Sequence, residues 1–150
     1  MSQNKLTIVI EDIYHPHNAI SIIKSSIAFG IKEIYVIEKE YKFDLAKINF
    51  NLSEYLKIYY FKDSLECIKE LKSKGYKIVS TTPHNETIEL EDFKLEEKTA
   101  LVFGTEETGI SKEIIDNSDL FLKIKTYGFT ESLNISVCVG IILNFFSKTI

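Results

Sequence analysis

Three short polar stretches hold the residues of this sequence whose types and spacing could do chemistry. They are residues 15–18 (HPHN), residues 104–109 (GTEETG) and residues 127–134 (YGFTESLN). Each one follows an apolar segment typical of a buried strand and precedes a helical pattern. Such turns combine polar side chains with the backbone N–H groups at the start of a helix. The pattern indicates a ligand site built from three turns.

The third turn is the stretch around which the chain is organised. It offers the carboxylate of Glu131, the hydroxyl of Ser132 and the amide of Asn134. It opens into a nearly all-apolar helical segment over residues 135–146. Polar groups at the mouth of a buried helix cost free energy unless that mouth binds something. We therefore interpret this turn as the floor of the site.

The second turn has a glycine at each end, Gly104 and Gly109. Glycine permits backbone conformations and a close ligand approach that a side chain would prevent. The turn lacks the GK[ST] ending of a P-loop and is not a GxGxxG fingerprint. A plain strand-to-helix turn that binds no ligand remains an equal interpretation of this stretch alone.

The elements that must position the three turns follow from the hydrophobic patterns. Strands are predicted over residues 5–11, 33–37, 57–61, 76–81, 99–103 and 120–124. Helices are predicted from Asn18 as N-cap to residue 29, over 64–74, from Ser111 as cap to 117, and from 135. Residues 83–98 are interpreted as an acidic, solvated connection. The order of elements predicts an α/β fold with a mostly parallel six-stranded sheet and helices on both faces.

Composition limits the remaining possibilities. A length of 150 residues predicts one domain, 1–150, and 45% hydrophobic with 27% charged residues is typical of a globular chain. No apolar run approaches the roughly 20 residues that span a bilayer, and the N-terminus lacks a signal-peptide core. We therefore expect a cytoplasmic protein with no membrane partner. The net charge of −4 weighs mildly against a large nonspecific nucleic-acid surface.

Other chemistries find little support in the sequence. It has no GxSxG elbow and no CxxC pair, and Cys67 and Cys138 are expected to be free thiols. His15 and His17 are interpreted as part of a surface turn in preference to zinc ligands. All 18 basic residues are lysine, so any site that calls for arginine must use lysine.

Three motifs, taken together and in this order, resemble the SpoU-type (TrmH-like) branch of the SPOUT RNA methyltransferases. Residues 18–24 (NAISIIK) are similar to a family motif of asparagine followed six residues later by arginine. Residues 101–111 (LVFGTEETGIS) resemble FGxExxGxS, and residues 124–136 (IKTYGFTESLNIS) resemble IPMxGxxxSLNVS. The resemblance covers nearly the whole chain, from about residue 5 to residue 147.

The resemblance implies an α/β fold with a C-terminal trefoil knot that binds S-adenosylmethionine and works as a homodimer. It implies methylation of ribose 2′-hydroxyls in tRNA or rRNA without a metal. The HPHN stretch is closest to the tRNA guanosine methylases, which favours tRNA. An rRNA methyltransferase and an inactive RNA-binding module of the same fold remain alternatives, and a small-molecule α/β enzyme is the least favoured.

By position, the resemblance also implies two groups of site residues. The residues around the methyl donor are Thr81, Gly104, Gly109, Ile124 and Leu133. The residues of the reaction and of the RNA contact are Asn18, Lys24, Glu106, Ser132 and Asn134. Asn18 and Lys24 are expected to face the ribose and its phosphate.

The sequence departs from the family pattern at Lys24, where the family has arginine. Lysine cannot make the two-pronged phosphate contact of a guanidinium, but it gives up its proton more readily. Lys24 is thus a plausible base toward the 2′-hydroxyl, and a surface lysine with no catalytic role is the alternative. Lys125 and Thr126 replace a Pro-Met pair. Apolar residues that either form a dimer interface or face their own core are Ile20, Ile27, Val139, Ile142 and Phe146.

Overall fold

The computed structural model describes residues 5–83, 86–105, 108–129 and 133–148. Within these residues the strands are β1 (Leu6–Glu11), β2 (Glu33–Ile37), β3 (Lys57–Phe61), β4 (Lys77–Thr81), β5 (Ile88–Glu89), β6 (Thr99–Phe103) and β7 (Leu120–Lys123). The α-helices are α1 (Pro16–Ala28), α2 (Ser64–Ser73), α3 (Lys112–Asp116) and α4 (Ile135–Phe146). Short 3-10 helices lie at Leu52–Glu54 and Leu90–Asp92.

The strands form a seven-stranded sheet in the order β3-β2-β1-β6-β4-β7-β5, and the neighbouring strands pair in parallel. The late strand β6 lies between β1 and β4, with Val9 opposite Val102 and Ser80 opposite the same residue. All strands therefore end on one side, called here the carboxyl end of the sheet. A parallel sheet offers its ligand sites at this end.

The predicted count of six strands is wrong, because β5 was interpreted as part of a solvated connection. Ile88 of β5 pairs with Leu122 of β7. Leu90 and Phe93 are buried, and the Phe93 ring meets the Phe146 ring edge-on at 5.7 Å. The acidic residues between them turn outward, so the segment covers the sheet. A strand of two residues is too short to leave a periodic signal in the sequence.

Helices cover both faces of the sheet, as predicted. Helices α1 and α4 pack together on one face, whereas α2 and α3 lie on the other. Strand β1 shows the alternation: Ile8 and Ile10 join the core under α1 and α4, and Val9 joins the core under α2. Burial of both strand faces explains the near-continuous apolar runs of β1 and β6. Each fully buried aliphatic side chain contributes about 1.5–3 kcal/mol.

Helix α1 begins earlier than the sequence predicted, because Pro16 occupies its first turn and His15 is the N-cap. Proline suits this position, since its missing N–H has no partner to lose there. The prediction of Asn18 as N-cap is therefore wrong. The helix ends at Ala28 with Phe29 as its C-cap, and Gly30 follows with a φ of 86°, which lets the Ile31 N–H bond the carbonyl of Ser26 at 2.9 Å.

Helix α4 has two unlike faces. Val139, Ile142 and Phe146 are buried in the core of their own chain, which is one of the two alternatives that the sequence left open for them. The residues exposed on the other face are also apolar: Val137 (48% exposed), Ile141 (38%) and Phe145 (43%). Among the described residues, no helix combines the length and the apolar character needed to cross a bilayer.

Candidate functional site

The residues predicted around the methyl donor lie at the carboxyl end of three neighbouring strands. Thr81 ends β4, Gly104 follows β6, and Ile124 follows β7. Because β4 lies between β6 and β7, and strands lie about 4.8 Å apart, the three positions span roughly 10 Å. Leu133, directly before the N-cap of α4, is half-buried like the other three. Two of the three turns thus begin at the same end of the sheet, on either side of β4.

The stretch from Gly104 to Ile110, called here the glycine loop, brings its described ends, Gly104–Thr105 and Gly109–Ile110, against each other. Thr105 and Gly109 exchange two backbone hydrogen bonds, each of 3.1 Å. A Cβ at Gly104 would lie 2.6 Å from the carbonyl oxygen of Gly109 and closer still to the backbone at Ile110. Gly109 has a φ of 74°, which disfavours a side chain there. Both glycines are therefore required by the backbone. Glu106, a predicted site residue, lies outside the described residues.

The groups present at this end suit an adenosine-containing sulfonium donor. Ile124 and Leu133 supply half-buried apolar side chains, as a planar purine requires. Gly104 lets the backbone at Gly109 and Ile110 pack directly against the end of β6, where a side chain would collide with it. The hydroxyl of Thr81 donates to the carbonyl of Val102 at 2.9 Å, which ties the end of β4 to β6. None of Thr81, Gly104, Ile124 and Leu133 carries a charged side chain.

Glu11 is a buried carboxylate that sequence reasoning missed. It ends β1, is 2% exposed, and its Oε1 accepts the backbone N–H of Ser111 at 2.8 Å. Its Oε2 accepts the hydroxyls of Ser64 and Ser111, both at 2.6 Å, and the Lys39 ammonium at 3.1 Å. Ser111 is the N-cap of α3 but makes no side-chain cap bond. Its hydroxyl donates to Glu11 instead, and this hydrogen bond fixes the end of the glycine loop to β1.

Burial alone would raise the pKa of Glu11, but the hydrogen bonds from Ser111, Ser64 and Lys39 outweigh it and lower the pKa. The carboxylate is therefore ionised at neutral pH. Burial and the nearby Glu11 charge raise the pKa of the Cys67 thiol to about 12. Cys67 is consequently no nucleophile at neutral pH. A charged residue that closes an otherwise apolar strand was the sequence signal for Glu11.

The neighbouring Asp12 holds a second loop at the same end of the sheet. Its φ of 57° is unusual for a residue other than glycine. The carboxylate Oδ1 accepts the backbone N–H groups of Lys39, Glu40 and Tyr41 at 2.9–3.0 Å. The loop after β2 is thereby fastened to the turn after β1.

Asn134, predicted to line the site, is the N-cap of α4. Its Oδ1 accepts the backbone N–H of Ser136 at 2.8 Å and the Ser136 hydroxyl at 2.6 Å. The residue is exposed, and its amide N–H₂ group remains the part suited to a ligand. Its role in the site stays a prediction. Ser132, placed beside it by the resemblance, lies outside the described residues.

Asn18 and Lys24 have different surroundings on α1. Asn18 is 1% exposed, whereas Lys24 is exposed. Six residues of α-helix turn the two side chains about 120° apart around the axis. The structure therefore places Asn18 in the first turn of α1, and Lys24 lies on a different face of the same helix. Lys24 instead neighbours Ser25, which faces Gly140 of α4.

An open parallel sheet with constrained turns beyond its strand ends defines a class of α/β protein that binds its ligand at the carboxyl end. The chain belongs to the SpoU rRNA methylase family, whose sequence profile matches residues 5–144. The resemblance of the three motifs is thereby confirmed at the level of the family.

Individual relatives agree with this assignment. The tRNA (guanosine(18)-2′-O)-methyltransferase of Borreliella burgdorferi is 40% identical over 141 residues, covering 93% of this chain and 65% of that protein. The chain therefore spans less than two thirds of that relative's length. The structure of the A. aeolicus TrmH/SpoU tRNA modifying enzyme matches with a TM-score of 0.83 and 29% identity, over 97% of this chain and 75% of that one.

A third comparison concerns the fold alone. The SpoU methyltransferase AviRb of Streptomyces viridochromogenes, solved in complex with the cofactor AdoMet, matches with a TM-score of 0.81. It is 20% identical, and the match covers 99% of this chain and 58% of AviRb.

Proposed function

We propose that this chain is a cytoplasmic S-adenosylmethionine-dependent RNA 2′-O-ribose methyltransferase, a single domain that acts on tRNA at a guanosine. The observation that carries the proposal is that two motif turns follow β6 and β7, the strands on either side of β4, and therefore begin at the same end of the sheet. The Borreliella burgdorferi relative, named for guanosine 18 of tRNA, supports the substrate. The AdoMet complex of AviRb, which has the same fold, supports the donor.

We also propose that the C-terminal part of the chain forms a trefoil knot around the donor. Strand β6 comes late in the chain but lies between β1 and β4. Helix α4 then returns to the face of the sheet covered by α1. This crossing of early and late segments supports the proposal, and it would put Gly104, Gly109, Ile124 and Leu133 around the donor, next to Thr81.

The residues of the chain have three tasks in this reaction. A bound S-adenosylmethionine supplies an electrophilic methyl group, so the protein needs no metal. A ribose hydroxyl is a weak nucleophile until its proton is being removed. Lys24 Nζ would accept that proton while the methyl group passes from the donor's sulfur to the ribose oxygen. The ribose is aligned with the methyl group and with Lys24 by Asn18, Glu106, Ser132 and Asn134.

The decisive variant is Lys24→Ala. Loss of a general base typically lowers the rate by about 10²–10⁴-fold. We expect at least a 100-fold lower kcat with labelled S-adenosylmethionine and total tRNA from cells that lack the protein, and an unchanged donor Kd by calorimetry. Lys32→Ala is the matched control, because Lys32 is also exposed but lies beyond the end of α1. Full turnover by Lys24→Ala would remove this residue from the mechanism.

The same assay separates the alternatives. Methylation of rRNA but not of tRNA would show that rRNA is the substrate. Measured donor binding with no label in any RNA would favour an inactive RNA-binding module, and no donor binding would remove the proposed site.

We further propose a homodimer. Val137, Ile141 and Phe145 lie four residues apart along α4 and form one exposed apolar stripe. Exposed large apolar residues in a contiguous row are typical of interfaces. The stripe lies on a different face of α4 from Val139, Ile142 and Phe146, which belong to the core.

A further inference from the structure

A cavity of about 740 Å³ opens at the carboxyl end of the sheet, outside the turns assigned to the donor. Its walls come from the turn after β1, the loop after β2 and the end of β3. The aromatic residues of the wall are Tyr14, Tyr41, Phe43 and Tyr60. We call it the tyrosine cavity. Tyr14 and Tyr60 are 48% and 52% exposed, so their rings are accessible at the wall of the cavity and are not part of the core.

A row of rings leads from the tyrosine cavity toward α1. The centroids of Tyr41 and Tyr14 lie 4.7 Å apart, those of Tyr14 and His15 4.6 Å, and those of His15 and His17 5.2 Å. His17 directly precedes Asn18 in the first turn of α1. The row therefore connects the cavity to the place where the ribose is proposed to lie.

The charges of the wall indicate which part of a nucleic acid fits. The cavity has three carboxylates, from Glu38, Glu40 and Asp44, against one ammonium from Lys42. Such a wall repels a phosphate. Carboxylates do accept hydrogen bonds from the amino groups of bases, and aromatic rings stack on any base. The cavity thus suits a base and not the backbone.

The position of the cavity suits a nucleotide near the methylated one. Most of its lining residues lie in the loop after β2, whereas the glycine loop follows β6, two strands away. At about 4.8 Å per strand, the separation is roughly 10 Å. One or two extended nucleotides bridge this distance. Sequence-specific RNA readers use unstacked bases on aromatic side chains in the same manner.

We propose that the tyrosine cavity binds an unpaired base of the RNA substrate, close to the target nucleotide, by stacking it against Tyr14 and Tyr41. The inference rests on the proposed RNA methyltransferase function. It adds a binding site on the opposite side of β1 from the donor turns.

The test compares Tyr14→Leu/Tyr41→Leu with Tyr14→Phe/Tyr41→Phe. Leucine keeps an apolar side chain but removes the flat ring, whereas phenylalanine keeps the ring. We expect the leucine variant to raise the KM for total tRNA by about 5- to 100-fold, with the kcat and donor Kd unchanged, and the phenylalanine variant to behave as the parent. Tyr55→Leu is the matched control, because Tyr55 is 51% exposed but precedes β3 at the other end of the sheet.

A second measurement does not depend on activity. Fluorescence anisotropy with a fluorescein-labelled single-stranded 12-mer RNA gives the Kd for each variant directly. Weaker binding by the leucine variant alone supports the cavity even if the parent methylates no RNA, which would refute only the proposed function. Equal Kd values for the parent and the leucine variant would overturn the inference. So would an equal loss in the phenylalanine variant, since stacking would then not be the cause.

Discussion

Glu11→Gln perturbs the network that joins β1 to the glycine loop. The carboxylate accepts four hydrogen bonds, and a glutamine amide keeps only one oxygen to accept them. The Ser111 N–H can keep its partner, and the two serine hydroxyls can rotate to accept from the new N–H₂. The Lys39 ammonium loses its charged partner, and it cannot accept a hydrogen bond from the new N–H₂ because it only donates. Because bonds to a charged group contribute about 1.5–3 kcal/mol and neutral ones about 0.5–1.5, we expect a loss of about 2–4 kcal/mol.

Chemical and thermal unfolding measure this loss. For a chain of this size, about 2–4 kcal/mol corresponds to a Tm lowered by roughly 5–15 °C. The pKa of Glu11 in the folded chain lies below its ordinary value of 4.5. The stabilisation by the carboxylate is therefore complete above that value and is lost as the pH falls through the lower folded pKa. The difference between the parent and Glu11→Gln should accordingly shrink below pH 4.5.

Glu97→Gln is the matched control for charge removal. The Glu97 carboxylate is 68% exposed and lies 3.4 Å from the Lys77 ammonium. An exposed ion pair contributes only about 0–1 kcal/mol, so this variant should unfold almost as the parent does. Equal stability of Glu11→Gln and Glu97→Gln at neutral pH would refute the reasoning. So would a stability difference between the parent and Glu11→Gln that stays constant down to strongly acidic pH.

Two further predictions concern backbone space and association. Gly104→Ala should weaken donor binding at least 10-fold by calorimetry and lower the Tm, because its Cβ would meet the backbone of Gly109. A Cβ at Gly140 would make only an ordinary contact with Ser25, so Gly140→Ala should raise the Tm, because alanine is favoured over glycine within a helix. A higher Tm for Gly104→Ala than for Gly140→Ala would contradict the loop geometry. Phe145→Ser should give a folded monomer by light scattering, whereas Phe146→Ser should unfold the chain, since only Phe146 is buried. A dimeric Phe145→Ser variant would exclude the α4 stripe as the interface.

Local patterns predicted most of the elements. The bounds of β2, β3 and β6 agree with the structure residue by residue. Each is a short β-branched or aromatic run between polar residues, and such a run carries its own signal. The start of α4 at Ile135 was predicted for a similar reason, because a polar turn with Asn134 precedes an apolar helical pattern.

Nonlocal contacts account for most of what the sequence missed. The partners Ser64 and Ser111 are 53 and 100 residues away from Glu11, so no local window contains the network. The buried and exposed faces of α4 are both apolar, and only packing against α1 distinguishes Val139 from Val137. The tyrosine cavity likewise depends on the turn after β1, the loop after β2 and the end of β3, which meet only after the sheet has formed.

The sequence by itself determined the family, the parallel α/β class and the turns that carry the chemistry. These depend on residue types at fixed short spacing, which folding does not alter. Only the tertiary structure decided the place of β6 between β1 and β4, the addition of β5, and the burial of Asn18 on a helix where Lys24 is exposed. Those features arise from the pairing of distant segments, whose free energy no single stretch of sequence contains.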